Sequence, residues 1–190
     1  MTIAHFIWWT AAAALVLPFL DIIPRTFGQK QWIERATAPR IVLGFLEAGT
    51  LVLWLLVRGR WQFLPEHDTA VALAGAVLAL TGAAFAAWAK AHLGRHFSPQ
   101  LGVQEHHRLV TSGPYGVVRH PIYLGVIDFI IGTALFLNDV GLFAVGLLFV
   151  LYFGAQIRIE ERLFERHFGG EWQEYSTRTP SLFPGLRRRR

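Results

Sequence analysis

The polar residues able to do chemistry are concentrated in one stretch, residues 107–125, which reads HRLVTSGPYGVVRHPIYLG. It combines His, Arg and Tyr side chains with turn-forming Gly and Pro, and apolar segments lie on both sides of it. Gly113-Pro114 is typical of a turn, because Gly relieves the steric limit on φ and Pro presets it. Pro121 can begin a helix, since its missing N–H is one that a first helical turn leaves unpaired. The pattern predicts a folded loop that runs into the start of a membrane helix, with Arg119-His120 at the junction.

Acidic residues near or inside the apolar segments are a second group of candidates. Glu160 and Glu161 follow directly on the last apolar segment, beside Arg158. A carboxylate at the membrane boundary attracts a cation and is costly to leave unpaired, so it is either a functional acid or half of an ion pair with a neighbouring Arg. Glu47 and Asp128 lie inside apolar segments. Such an acid marks a functional site or is a protonated carboxyl bonded to a neighbouring helix.

Several other kinds of site are disfavoured or excluded by the sequence. His92 and His96 are four residues apart and could ligate a metal from one helix face, but no third ligand follows at a suitable spacing, so we expect no metal site. The absence of Cys excludes a disulfide framework, a Cys-ligated zinc and a thiol nucleophile. No GxSxG motif, phosphate-binding loop or GxGxxG after a strand is present, which removes the usual soluble cofactor folds.

The chain that must position these residues is strongly apolar, with 53% apolar residues and a mean hydropathy of +0.38. Roughly 20 apolar residues cross a bilayer, with some latitude for tilt. Only Asn138-Asp139 separate the last two apolar blocks, which forces a tight antiparallel hairpin. We predict an all-α integral membrane protein of one domain, with five transmembrane helices over residues 3–23, 41–57, 69–89, 121–137 and 140–157.

Two further patterns describe how these helices are arranged. Small residues recur at four-residue steps in the third block, as in Gly75 and Ala79 or Gly82 and Ala86, and such residues let helices approach closely in lipid. The sequence after residue 158 is amphipathic and predicts a C-terminal helix at the membrane surface, which could cover the loop as a lid. Its membrane-facing stripe would contain Leu163, Phe164 and His167 or Phe168, with Trp172 and Tyr175 as a continuation.

The basic residues predict the orientation of the chain. Of the 18 Lys and Arg residues, 16 fall in segments 24–40, 90–120 and 158–190, whereas Arg58 and Arg60 alone lie on the opposite side. Cytoplasmic loops are the ones enriched in Lys and Arg, so the N-terminus should be outside and the 107–125 stretch and the C-terminus cytoplasmic. The final run of Arg, 187–190, is drawn to anionic lipid or is a solvated tail.

Several motifs in the C-terminal half occur in an order that resembles one family, the isoprenylcysteine carboxyl methyltransferases, together with their prokaryotic relatives and the membrane phospholipid methyltransferases. The resemblance covers residues 94–186, after three N-terminal spans within 1–93 and before the basic tail 187–190. The motifs are His107-x-Leu-Val-Thr-Ser-Gly-Pro-Tyr115, Arg119-His-Pro-x-Tyr123-x-Gly125, Glu160-Glu161, Phe168-Gly169, Tyr175 and Pro180-x-x-x-Pro184.

The resemblance implies a membrane enzyme that transfers a methyl group from S-adenosylmethionine to a lipophilic or prenylated acceptor entering from the bilayer. Its partners would be this acceptor and membrane lipids, without nucleic acid, and its oligomeric state stays open. The cofactor would be enclosed by the loop and the helix after the last span. The implied catalytic residues are Glu160, Gln156 and His120, and the implied cofactor-binding residues are Gln100, His107, Leu109, Val110, Tyr115, His120, Pro121, Tyr123 and Glu160.

One position departs from the family pattern. Members that methylate a prenylcysteine carboxylate place an Arg four residues before the cofactor Glu, where this chain has Gln156. Gln offers no charge-assisted bidentate contact to a carboxylate, so the acceptor can be a carboxylate, a thiol or an amine. Two alternative functions are a membrane NADPH-dependent reductase of a sterol or isoprenoid double bond, and a non-catalytic membrane protein built on Glu47 and Asp128.

Overall fold

The structure, a computed structural model, describes residues 32–35, 61–62, 64, 68–94, 102–104 and 108–184. Two of its helices are long and apolar enough to cross a membrane, and a third is a shorter apolar helix of 17 residues. The predicted spans 3–23 and 41–57, with Glu47, lie outside the described residues. The described elements are β1 (Trp32–Arg35), α1 (Thr69–Leu93), β2 (Gly102–Gln104), a 3-10 turn (Gly113–Gly116), α2 (Pro121–Leu137), α3 (Val140–Phe168) and α4 (Gly170–Arg178).

The helical character predicted for the described spans is confirmed, with one addition. Strands β1 and β2 pair in antiparallel fashion, with Trp32 opposite Gln104 and Arg35 opposite Gly102. This two-stranded sheet was not predicted, because neither short segment has the alternation of apolar and polar residues by which a strand is recognised.

Helices α1 and α2 pack closely because both present glycines at their contact. A Cβ built on Gly82 would lie 2.7 Å from the carbonyl oxygen of Gly125, and one on Gly75 would lie 2.6 Å from that of Gly132. The small residues of the third apolar block therefore form a helix contact, as predicted. The opposite face of α1 exposes large apolar side chains, among them Leu73, Val77, Leu80 and Trp88.

The tight turn between α2 and α3 is also present. Asn138 ends α2 in the left-handed conformation, with φ of 53°, and the Asp139 side chain accepts a hydrogen bond from the Leu142 amide at 2.9 Å, which caps α3. The Asn138 amide group also bonds both backbone groups of Leu64, accepting from its N–H at 3.1 Å and donating to its carbonyl at 2.9 Å. The hairpin turn thus also holds the segment that precedes α1.

Helix α3 combines two predicted elements. The span predicted over 140–157 continues without a break into the amphipathic helix predicted after residue 158, and the combined helix ends at Phe168, where Gly169 takes a φ of 50°. The predicted membrane-facing stripe packs partly against protein: Leu163 is buried, and the ring of Phe164 lies 5.3 Å from that of Trp172. The amphipathic C-terminal element is therefore the end of α3 together with α4.

Candidate active site

The loop before α2 and the C-terminal segment meet in space. The Arg119 amide donates to the Pro180 carbonyl at 2.9 Å, and the His120 amide donates to the Ser181 carbonyl at 3.1 Å. The hydroxyl of Tyr175, on α4, donates to the carbonyl of Tyr115 at 2.7 Å. The two pieces of chain that the distribution of basic residues assigns to one membrane face are therefore in direct contact.

Glu160 lies at this junction and is held by two side chains from the start of α2. The Tyr123 hydroxyl donates to its Oε1 at 2.6 Å, and Nδ1 of His120 lies 3.3 Å from its Oε2. Helix α3 places Glu160 at the end of its apolar part, and Pro121 begins α2 so that His120 and Tyr123 project from adjacent turns. The Glu160 side chain keeps 21% of its surface exposed, so a cation can still approach it.

Glu161 has a different set of partners and holds the loop to the C-terminal segment. One of its oxygens, Oε1, accepts from Arg119 at 2.7 and 3.0 Å and from the Ser181 hydroxyl at 2.9 Å, and it lies 3.2 Å from Nε2 of His120. Arg119 also donates to the carbonyls of Ser176 and Thr179. Of the two alternatives for Glu160 and Glu161, the ion pair therefore applies to Glu161. Its partner is Arg119, and not Arg158, which is exposed.

The two carboxylates determine the protonation of the imidazole between them. Burial of His120 lowers its pKa, but hydrogen bonds to Glu160 and Glu161 and the negative charges of both outweigh that effect and raise the pKa above its ordinary value. A protonated imidazole can donate from both nitrogens, which fits its position between two carboxylates. Arg119 and His120 then balance the charges of Glu160 and Glu161.

Aromatic rings form one wall of this region. Tyr123 stacks nearly parallel on Phe153 of α3, with ring centroids 4.4 Å apart, and on His120 at 5.7 Å. Phe153 also belongs to an apolar core that joins the loop, α2, α3 and the C-terminal segment. Its buried members are Val118, Leu124, Ile127, Phe153, Ile157 and Leu182.

The hydroxyl of Tyr115 is buried and lies close to Glu160. This hydroxyl has no hydrogen-bond partner in the described part of the chain. Burial of Tyr115 is the main cause that raises its pKa far above the ordinary value, and the nearby Tyr175 and Glu160 raise it further. The phenol therefore stays protonated. The ring lies 6.5 Å from that of His92 on α1, whose Nε2 is 3.0 Å from the Ser112 hydroxyl. His92 thus contacts the loop, whereas His96, four residues later, lies outside the described residues.

Gln156 lies one turn before Glu160 on α3 and is buried. Its Nε2 donates to the hydroxyl of Tyr152 at 2.8 Å, whereas its Oε1 has no partner among the residues that the structure describes. Tyr152, Gln156 and Glu160 follow at four-residue intervals, so they share one face of the helix.

The structure brings together only some of the residues implied by the resemblance. His120, Tyr123 and Glu160 are in direct contact, Tyr115 is close to them, and buried Pro121 begins α2. Leu109 and Val110 are half-buried in the loop ahead of the 3-10 turn, and Gln100 and His107 lie outside the described residues.

Other predicted or overlooked residues stand apart from this group. Asp128 is half-buried on α2 beside Gly82 of α1, a helix contact and not part of the junction. Arg119 and Glu161 were each singled out, but their contact with one another and with Ser181 was not predicted, and Tyr152 was not singled out. The four-residue spacing of Tyr152, Gln156 and Glu160 in an otherwise apolar helix was the signal that could have identified the polar face.

Comparison with known proteins agrees with the resemblance. Residues 74–166 match the model of the isoprenylcysteine carboxyl methyltransferase (ICMT) family. The chain is 35% identical over 94 residues to protein-S-isoprenylcysteine O-methyltransferase B of Arabidopsis thaliana, with 48% of each chain covered. It is 31% identical over 138 residues to the nickel-cobalt-cadmium resistance protein NccN of Alcaligenes xylosoxydans xylosoxydans, with 72% of this chain and 61% of that protein covered.

A solved structure, that of the eukaryotic intramembrane Ras methyltransferase ICMT, shares the fold with a TM-score of 0.60 and 24% sequence identity. The similarity covers 80% of this chain and 54% of that one, so this chain spans about half of that protein's length. The family match begins inside α1, earlier than the motifs indicated. The resemblance inferred from the motifs is thereby confirmed: residues 74–166 are similar to the isoprenylcysteine carboxyl methyltransferase family.

Proposed function

We propose that this protein is an integral membrane methyltransferase that uses S-adenosylmethionine and a lipophilic acceptor. The relatives that carry the name protein-S-isoprenylcysteine O-methyltransferase support methyl transfer as the reaction. The observation that carries the proposal is the position of Glu160, which is held by His120 and Tyr123 where the loop closes on α3. A partly exposed carboxylate beside aromatic rings is suited to a positively charged cofactor.

The residues present fit S-adenosylmethionine, which carries a sulfonium, an amine and a carboxylate. Glu160 would hold a positive group of the cofactor, and the ring of Tyr123 would offer a second favourable surface for it. The buried Tyr115 hydroxyl, which lacks a partner among the described residues, would donate to an oxygen of the cofactor. When bound, the cofactor supplies the electrophilic methyl carbon.

The contribution of the chain to the reaction would be alignment and exclusion of water. Methyl transfer to a good nucleophile needs little proton transfer, so most of the rate enhancement comes from holding the acceptor in line with the methyl group in a dry site. His120 is buried and fixes the carboxylate of Glu160, while Arg119 and Glu161 fasten the C-terminal segment over the loop. Each of these contacts reduces the motion of the site.

The proposal also places the site relative to the membrane. The apolar helices α1 and α3 would span the bilayer, and the excess of Lys and Arg around the loop and after residue 158 would keep both on the cytoplasmic side. A polar cofactor would then arrive from water, and an apolar acceptor would arrive from the lipid between helices.

Equilibrium binding to the full chain in detergent tests the proposal. We expect S-adenosylhomocysteine to bind and NADPH not to bind, because a dinucleotide needs cations near its phosphates and Arg119 is already occupied by Glu161. Incubation of membranes with methyl-labelled S-adenosylmethionine should then transfer the label to a product in the lipid phase. Binding of NADPH without S-adenosylhomocysteine would favour a reductase and contradict the methyltransferase.

A further inference from the structure

One face of α3 is exposed on both sides of the point where the apolar part of the helix ends, and it changes there from apolar to basic. Leu147 and Leu151 are 49% and 71% exposed, and Arg158 and Arg162 are exposed further along. Steps of four or seven residues separate these positions, so they follow one line on the helix surface. Neither Arg forms an ion pair or hydrogen bond with another residue that the structure describes.

The spacing along this line matches one leaflet of a bilayer. The apolar part of α3, residues 140–157, has its middle close to Leu147. Arg158 lies about 16 Å along the helix axis from Leu147, at a rise of about 1.5 Å per residue. Half of the hydrocarbon core is about 15 Å thick, so Arg158 lies at the level of the headgroups when the apolar part is centred in the bilayer.

The exposed Trp88 of α1 marks the same level independently. Gly82 of α1 lies against Gly125 of α2, and Tyr123 of α2 stacks on Phe153 of α3. Counting along the antiparallel helices from these contacts places Trp88 within about one turn of the end of the apolar part of α3. Trp side chains are enriched where a membrane meets water, and 51% of Trp88 is exposed.

We propose that this face of α3 binds an anionic phospholipid, with its phosphate between Arg158 and Arg162 and an acyl chain along the exposed leucines. A guanidinium group can donate two parallel hydrogen bonds to a phosphate, and an Arg near the membrane surface attracts anionic lipid. Two positive groups without a carboxylate partner favour a headgroup of net negative charge over a zwitterionic one. An exposed acid on the same face, Glu165, lies beyond Arg162 and further from the bilayer.

The lipid site is separate from the proposed site of methyl transfer. Glu160 follows Arg158 by two residues and therefore lies about 200° around the helix from it. His120 and Tyr123 contact Glu160 on that side, whereas the lipid would lie on the exposed side. The bound lipid would hold α3 at a fixed depth and is not the methyl acceptor. The inference requires α3 to cross the bilayer, but it does not depend on methyl transfer.

Native mass spectrometry of the full chain in detergent tests the proposal, with phosphatidylglycerol and phosphatidylcholine of the same acyl chains as equimolar probes. We expect the wild type to retain phosphatidylglycerol in preference to phosphatidylcholine. The double variant Arg158→Gln/Arg162→Gln should lose about tenfold or more in affinity for the first phosphatidylglycerol, the scale for two Arg residues at a membrane surface. The matched control, Arg189→Gln/Arg190→Gln, removes the same charge from the basic tail and should keep the wild-type affinity.

Three results would each overturn the proposal: equal retention of the two lipids by the wild type, an unchanged affinity in the Arg158→Gln/Arg162→Gln variant, or an equal loss in the tail variant. The last result would assign the binding to overall charge. Because both substituted Arg residues are exposed, the variant should melt at the wild-type temperature without added lipid. Lost binding is thereby distinguished from lost folding.

Fluorescence quenching tests where the acyl chain lies. Leu151→Trp places an indole on the apolar part of the face, and lipids brominated on their acyl chains quench an indole that they contact. In vesicles of phosphatidylcholine, we expect brominated phosphatidylglycerol to quench the added fluorescence more than brominated phosphatidylcholine does. This difference should disappear when Arg158 and Arg162 are also replaced by Gln. Equal quenching by the two lipids in Leu151→Trp itself would contradict the proposed position of the lipid.

Discussion

Arg119 donates two hydrogen bonds to a single oxygen of Glu161, from Nε at 3.0 Å and from Nη2 at 2.7 Å, across 42 positions of sequence. Its remaining nitrogen bonds two carbonyls near the end of α4, and its guanidinium lies 5.6 Å from the ring centroid of Trp172. A guanidinium can satisfy several acceptors at once because its donors form a rigid fork. This one side chain thus connects the loop, α3 and the C-terminal segment.

Removal of Arg119 should therefore destabilise the fold. We expect Arg119→Ala to lower the free energy of unfolding by about 3 kcal/mol, because it leaves the largely buried Glu161 without its guanidinium partner. Arg178→Ala is the matched control, since its ion pair with Glu174 is exposed and should contribute at most about 0.5 kcal/mol. Thermal unfolding of both variants in detergent measures the difference, and equal losses would contradict the role given to Arg119.

Stability should depend on pH through His120. Because its pKa in the folded protein is raised, the protonated imidazole stabilises the fold fully below its unfolded pKa, and this contribution is lost as pH rises through the folded pKa. The melting temperature of the wild type should therefore fall relative to that of His120→Gln as pH rises from below about 6.5, the ordinary pKa of His, into the alkaline range. A constant difference between the two proteins over this range would show that His120 does not titrate as proposed.

The sequence predicted the local features of this site better than its internal contacts. Gly113-Pro114, Pro121 and Asn138-Asp139 have conformational preferences that act within a few residues, so the turn, the start of α2 and the hairpin were all recognisable. The pairing of Arg119 with Glu161 depends on how helices pack, and several Arg residues were equally available from spacing alone. That the last span and the amphipathic helix form one continuous helix was not predicted, because hydropathy marks the end of an apolar segment and not the end of a helix.

Glu160 should contribute directly to cofactor affinity. We expect Glu160→Ala to raise the Kd for S-adenosylmethionine by roughly ten- to a hundredfold, the scale for losing one charged partner. Glu165→Ala is the control, because Glu165 is an exposed acid on the same helix. Isothermal titration on both variants distinguishes a local effect from a general change in charge, and an unchanged affinity for Glu160→Ala would place the cofactor elsewhere.

The contact between α1 and α2 should tolerate no added side chain at Gly125. A Cβ built on Gly125 would lie 2.5 Å from the carbonyl oxygen of Gly82, so Gly125→Ala must push the helices apart and should cost about 1–3 kcal/mol. Gly154→Ala on α3 meets nothing within 4 Å and should be neutral or slightly stabilising, because Ala favours a helix more than Gly does. Thermal unfolding measures both changes, and equal stability of the two variants would disprove the close approach.

Acceptor choice should change with the charge at position 156. Gln156→Arg would place a guanidinium one turn from Glu160, where it offers a carboxylate the charge-assisted contact that the amide lacks. We expect this variant to raise kcat/KM for S-farnesylthiopropionic acid relative to farnesylamine by about tenfold or more, whereas Gln156→Met should improve neither acceptor. Because the comparison is a ratio within one protein, a partial loss of folded enzyme does not affect it. An unchanged ratio in Gln156→Arg would mean that this turn of α3 does not contact the acceptor's head group.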